Sequence, residues 1–183
     1  MPRLLRVIDG SKWDFADDLV AWQARDDLPG AVIGDLRPSA TNRLSVWEIT
    51  EGDGNLERVI AGYAANRGNI DIFEARIIDS AEIDAIGITI ERAPGQSKDR
   101  EAARRWHWNM LELTHMKLGA LATLLAVRGI PIERNEVEVV ALIVASVRAG
   151  HIQIQDLKPS PPSGAAVWRV IPEALQRGHT TDG

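Results

Sequence analysis

Arg100, Arg104 and His107 recur at intervals of four and three residues near the start of the stretch DREAARRWHWNMLELTHMKLGALATLLA. At about 100° per residue, a helix puts all three within about 60° of one another on one face. Two guanidiniums and an imidazole so gathered could hold a carboxylate or a phosphate, because each guanidinium presents paired donors that match those groups. They could equally form structural ion pairs with Asp79, Glu82 or Asp84. Leu111, Thr114, Leu118, Leu121 and Leu125 share the helical stripe of His107, which favours a core-edge histidine hydrogen-bonded to a carbonyl.

The second histidine of the stretch, His115, falls about 80° round the same helix and about 12 Å further along its axis. A metal whose nitrogen ligands lie near ~2 Å cannot be reached by both rings. With no HExxH or HxH pattern, no metal site is expected. Trp106 and Trp108 lie about 200° apart on a helix, so they cannot enter one core. A tryptophan at 108 beside Met116, on the face away from His107, is a candidate anchor for a protein partner.

Other constellations carry less chemistry. EITEGDGNLERV has the outline of strand, glycine turn and helix, but Glu57 stands where a third phosphate-cradling glycine belongs, and Asp53 and Glu57 repel a pyrophosphate. Asn55 is read there as a helix cap. Asp71, Glu74, Asp79, Glu82 and Asp84 suggest a metal nuclease, yet Glu74 is followed by Arg76, which cannot shuttle a proton as lysine does. Ser160 and Ser163 sit in a proline-rich turn and no GxSxG elbow exists. No catalytic residue is assigned and no cofactor is expected.

The elements that must position these residues follow from periodicity and punctuation. Strands are predicted at Leu4–Asp9, Arg43–Thr50, Ile70–Ile78 and around Ile88 and Ile90. Helices are predicted over WDFADDLVAWQA, capped by Ser11, over LERVIAGYAANR, closed by Gly68, and briefly from Ser80 to Ile86. Ala31 to Asn42 reads as a loop. After Pro94-Gly95-Gln96-Ser97, two helices are predicted, roughly Asp99 to Arg128 and Asn135 to Ala149, the second terminated by Gly150. HIQIQDL and AAVWRVI then flank a proline-rich loop as a hairpin. The expected fold is α+β, or α/β. A small mixed sheet would pack on a long central helix, with a second helix and a C-terminal β-hairpin. Residues 1–94 are expected to form an α/β region, 95–175 a helical region continuous with it as one domain, and 176–183 a tail.

Composition bounds the function. The 183 residues are 45% apolar with a formal charge of −5 and no cysteine. A sizeable core is affordable, and disulfides, zinc fingers and cysteine nucleophiles are excluded. MPRLLRVIDG lacks the apolar stretch of a secretory signal. The most apolar run, Val137 to Val147, contains Glu138 and is shorter than the about 20 residues a bilayer requires. Arginine far outnumbers lysine, which points to a GC-rich bacterial genome. The reading is of a soluble, cytoplasmic bacterial chain.

Mild acidity disfavours nucleic acid and suits a basic protein partner. The leading expectation is a non-catalytic interaction or regulatory protein: an adaptor, an immunity or antitoxin-like protein, or a subunit of a defence or secretion system. A homo-oligomer is compatible with it. The alternative is a small-anion-binding domain or enzyme using Arg100, Arg104 and His107. A further alternative is a winged-helix-like DNA-binding regulator. Against that last reading, Glu133, Glu136 and Glu138 surround Arg134 at the start of the would-be recognition helix, and the would-be wing offers only Lys158 and Arg169.

Overall fold

The fold is α+β. The computed structural model describes residues 2–13, 29–50, 52, 54–67 and 72–157. The chain divides into two compact units that alternate along the sequence. The first is drawn from Met1–Gly52, Glu74–Ala93 and Trp106–Ile132, the second from Asp53–Phe73, Pro94–Arg105 and Glu133–Gly183.

The first unit carries a six-stranded sheet, apart from a few residues at strand ends. Its strands are β1 (Arg3–Ile8), β2 (Leu44–Ile49), β3 (Phe73–Asp79), β4 (Thr89–Arg92), β5 (His107–Leu111) and β6 (Ile130–Arg134), in the order β4-β5-β2-β1-β3-β6. β1 runs antiparallel to both β2 and β3, and β5 antiparallel to both β2 and β4. The apolar runs of β1 and β2 follow from burial on both sheet faces: Leu4 and Leu5 point in opposite directions and are both fully buried.

On one face Leu4, Ile8, Leu44, Val46, Ile78 and Met110 join a core with Trp13, Val32, Leu36, Leu118, Leu121 and Leu125. The last three come from α5 and the middle two from or beside α1, in a helix series whose bounds are α1 (Gly30–Asp35), α2 (Leu56–Asn66), α3 (Ser80–Ala85), α4 (Arg100–Arg105), α5 (His115–Val127) and α6 (Glu136–Arg148). In the second unit, α2 packs on α6 and on α4. No helix among the described residues is long and apolar enough to cross a membrane.

Local chemistry accounts for several boundaries. Asn135 accepts from the Glu138 amide at 3.0 Å while the Glu138 carboxylate accepts from the Asn135 amide at 2.9 Å, a reciprocal cap that starts α6 where the sequence predicts a helix. Gly150, at φ 75°, lies just past its end in the left-handed region that glycine tolerates best. Gly62 of α2 permits a close approach, since a Cβ there would run into Ser97 Oγ.

Three expectations are corrected. The single helix from Asp99 to Arg128 is instead α4, β5 and α5. Its middle is drawn into the sheet because β2 and β4 supply backbone partners on both sides, with His107 opposite Trp47 and Trp108 opposite Arg92. Glu112 then turns the chain at φ 55°, and the Thr114 hydroxyl accepts from the Lys117 amide at 3.3 Å to start a new helix. Within the expected loop from Ala31 to Asn42, α1 forms, tied down by Val32 and Leu36, both fully buried. The expected strand HIQIQDL contains a 3-10 turn, Ile154–Asp156. The predicted helix beyond Trp13, Gly68, the AAVWRVI half of the hairpin, the tail, and Ser160 and Ser163 lie outside the described residues.

Candidate anion-binding cleft

The organising side chain of the second unit is Asp99. It is fully buried and sits between the loop 94–98 and α4. One carboxylate oxygen accepts from the Ala102 amide at 2.9 Å, which caps α4. From α2, Arg58 reaches both oxygens, its Nε at 2.9 Å and its terminal nitrogen at 3.1 Å. That fork-to-fork pair is the arrangement in which a buried carboxylate is best satisfied. The same terminal nitrogen of Arg58 donates to Glu101 at 3.0 Å, and Arg105 donates to the other Glu101 oxygen at 2.9 Å.

The charges of this network hold one another. Burial pulls the Arg58 pKa down, but hydrogen bonds to Glu101 and Asp99 outweigh it and raise the value above that of ordinary arginine. The hydrogen bond from Arg105, then that from Arg58, lowers the Glu101 carboxyl below the usual range. Around this pair the loop is stapled by the Lys98 amide to the Gly62 carbonyl at 3.1 Å and by the Gly95 amide to the Ala103 carbonyl at 3.0 Å.

With Ala102 and Ala103 buried, the outer face of α4 presents Arg100 and Arg104, one turn apart and both exposed. They line a cleft of about 430 Å³ together with Lys98, Asn66, Ser97 and Asp156. Three cations therefore face one carboxylate. Asp156 pairs with Arg100 at 3.2 Å. Lys98 and Arg104 make no side-chain ion pair among the described residues. Such a cleft can take an anion of up to a few charges, with two guanidiniums as forks and an ammonium as a point charge.

The structure thus brings Arg100 and Arg104 together and assigns His107 elsewhere. His107 lies on β5 in the first unit, buried, where its Nδ1–H donates to the Ala93 carbonyl at 2.7 Å and its ring meets the edge of Trp47 at 4.9 Å. Burial lowers the His107 pKa, partly opposed by that carbonyl. A folded-state value depressed below the unfolded one means that the unfolded chain binds the proton more readily. Stability is therefore complete above the ordinary histidine range near ~6.5 and falls as the pH drops through it. We expect the urea midpoint of the wild type to decline between about pH 7.5 and 5, and His107→Gln to flatten that decline in part. An unchanged slope in the variant assigns the acid sensitivity to other groups.

Trp108, also on β5, is half-buried, and its indole donates to Glu48 at 3.0 Å while the Arg92 guanidinium lies 4.8 Å from the ring centroid. Met116 is 86% exposed near the start of α5, so Trp108 and Met116 sit on different elements. Of the acidic residues considered for a nuclease, Glu74 accepts from the Gly10 amide at 2.8 Å and Glu82 pairs with Arg128 at 3.0 Å. No group of three or more potential ligands could hold a metal among the described residues.

Sequence reasoning missed Lys98, Asn66, Ser97 and Asp156 as lining residues, and Arg58 and Asp99 as the support. The loop Pro94 to Ser97 was a usable signal, because breaker residues just before a basic helix mark backbone that can wall a cleft. Nothing local announces Asp156, which is 56 residues from Arg100.

The fold and cleft define a class only: an α+β protein with a cation-lined cleft in its second unit. Comparison with protein-family models, curated proteins and solved structures gives no significant match for this chain.

Proposed function

We propose that the protein is a non-catalytic binding protein whose cleft takes a small anion on Lys98, Arg100 and Arg104. One observation carries the reading: three cations converge on a cleft with a single carboxylate, in a chain of net charge −5. A local excess of positive charge against an opposing overall field concentrates anions at that place alone. No histidine lines this cleft, the His151 of the smaller cleft beside it makes no hydrogen bond to Ser97, and the Ser97 hydroxyl accepts from the Asp99 amide at 3.2 Å. An acid–base pair or an activated nucleophile would need such groups free and adjacent, so binding without turnover fits better than catalysis. A regulatory role in a bacterial cytoplasm agrees with the absence of cysteine.

The test is thermal unfolding with orthophosphate, citrate and chloride added in turn. A ligand at ten times its Kd should stabilise the wild type by about 1.4 kcal/mol, roughly 3–6 °C for a chain of this size. Arg100→Ala with Arg104→Ala should keep the ligand-free midpoint within about 2 °C, as both side chains are exposed, and lose the ligand shift. If neither phosphate nor citrate shifts the wild type beyond the chloride control, the reading fails.

A second reading rests on Met116, the most exposed large apolar side chain among the described residues. It makes the start of α5 a contact point for a protein partner, a basic one given the chain's acidity. Met116→Lys should abolish a complex recovered from the native host and leave stability unchanged. Recovery of the same complex with the variant would remove this contact point.

A further inference from the structure

We infer that the anion bound in the cleft is the phosphate of a hydroxyl-rich small molecule, a sugar phosphate or polyol phosphate, whose hydroxylated part lies in the smaller cleft next to it. This rests on the anion-binding reading above and adds the class of ligand.

The smaller cleft measures about 240 Å³ and shares Lys98, Arg100 and Asp156 with the larger one. Its other walls are Glu101, His151, Gln153 and Gln155. At about 30 Å³ per water, it has room for roughly eight waters, enough for a short hydroxylated chain or ring. The two clefts are therefore one groove with a change of chemistry across the Arg100–Asp156 pair. On one side Lys98, Arg100 and Arg104 outnumber the single carboxylate of Asp156. On the other, Lys98 and Arg100 are balanced by Glu101 and Asp156, and His151, Gln153 and Gln155 complete a polar wall.

That second chemistry selects against the obvious competitors. A second anionic group would find no excess of positive charge there, because Lys98 and Arg100 are balanced by Glu101 and Asp156. A nucleobase stacks on flat rings, and His151 is the one aromatic ring among the residues that line the two clefts, so a base has little surface to stack on. A hydroxyl both donates and accepts, so it can satisfy a carboxylate, an amide oxygen and an amide nitrogen in turn. Gln153 spends one amide hydrogen on the Gly150 carbonyl at 3.2 Å, which fixes its orientation and leaves its oxygen available to a ligand.

The Arg100–Asp156 pair gives the groove its means of adaptation. The Arg100 side chain is 83% exposed, so its ion pair is weakly held. A phosphate arriving between Arg100 and Arg104 can draw the Arg100 guanidinium over and release an Asp156 oxygen to accept from a ligand hydroxyl. Asp156 thus acts as a stand-in for the phosphate in the empty groove and as a hydroxyl acceptor in the filled one.

Isothermal titration of the full chain tests this, with orthophosphate, ribose 5-phosphate, glucose 6-phosphate, glycerol 3-phosphate, AMP and free glucose as probes. At least one of the three polyol phosphates should bind tenfold or more tightly than orthophosphate. Gln153→Ala with Gln155→Ala should reduce that advantage to within twofold and leave orthophosphate binding as it was. Arg104→Ala should weaken every phosphorylated probe. Both glutamines are exposed, so the variant is expected to keep the wild-type unfolding midpoint. Orthophosphate binding as well as all three polyol phosphates would overturn the inference and leave the anion-binding reading standing. AMP binding tenfold tighter than any of them would also overturn it, in favour of base recognition. Failure of every phosphorylated probe would remove both.

Discussion

Replacing Asp99 by alanine is expected to destabilise the chain by about 3 kcal/mol, a fall in midpoint of roughly 6–12 °C. Three effects act together. The carboxylate is fully buried, so its removal leaves a gap among Ala102, Ser97 and Gly62. The Ala102 amide loses its cap, worth about 1 kcal/mol. Arg58 loses its bidentate partner and keeps only Glu101 of the pairs described above. Breaking a buried pair typically costs about 3–5 kcal/mol, and about 2 kcal/mol is expected from this effect because Arg58 keeps Glu101 and its side chain is 21% exposed and can draw in water.

Asp99→Asn separates the effects, since an amide oxygen can still cap Ala102 but cannot neutralise Arg58. We expect it to lose about half as much. Because α4 and its preceding loop are held by this residue, Asp99→Ala should also weaken anion binding, whereas a surface change of similar charge would not. Urea titration monitored by tryptophan fluorescence is the measurement. A loss under about 1 kcal/mol would mean that Asp99 does not organise this unit.

The second large effect concerns the first unit. Leu121→Ala is expected to cost about 3 kcal/mol, within the range of about 2–5 found when a buried leucine is truncated. Leu121 is fully buried and lies in the core with Leu4, Val46, Met110 and Leu125. α5 is held on the sheet by Leu118, Leu121 and Leu125, one per turn, with few polar contacts of its own beyond the Thr114 cap and the Thr123 hydroxyl, which donates to the Gly119 carbonyl at 3.2 Å. The cavity cannot be refilled cheaply by a rigid strand, so the transfer and cavity terms both apply. Leu121→Met should cost less than about 1.5 kcal/mol, because volume is nearly kept. Met116→Ala on the same helix should change stability by less than about 0.5 kcal/mol, as its side chain is 86% exposed. Equal losses at 121 and 116 would show that burial does not set the energetics of this helix.

Sequence by itself determined what is written in short-range chemistry. The Asn135–Glu138 cap and Gly150 bracket α6 because both ends are satisfied by residues within a few positions. β2 was legible in LSVWEI, whose β-branched and aromatic residues suit a pleated surface. The basic pair Arg100 and Arg104 was legible too, since the four-residue spacing holds on even a short helix.

Tertiary structure decided the rest. HWNML carries no glycine or proline, and with the leucines that follow it keeps a helical period, so nothing local marks it as a strand. The sign that was present is the pair Trp106 and Trp108, which point apart on a helix but share a face on a strand. What settles the matter is hydrogen bonding to residues 60 positions earlier, as between His107 and Trp47, and such partners cannot be read from a window. Ending α4 at Arg105 carries His107 into the first unit and leaves Arg100 and Arg104 in the second. The remaining walls of the cleft come from Asn66 and Asp156, and only the folded chain brings those distant segments beside the two guanidiniums.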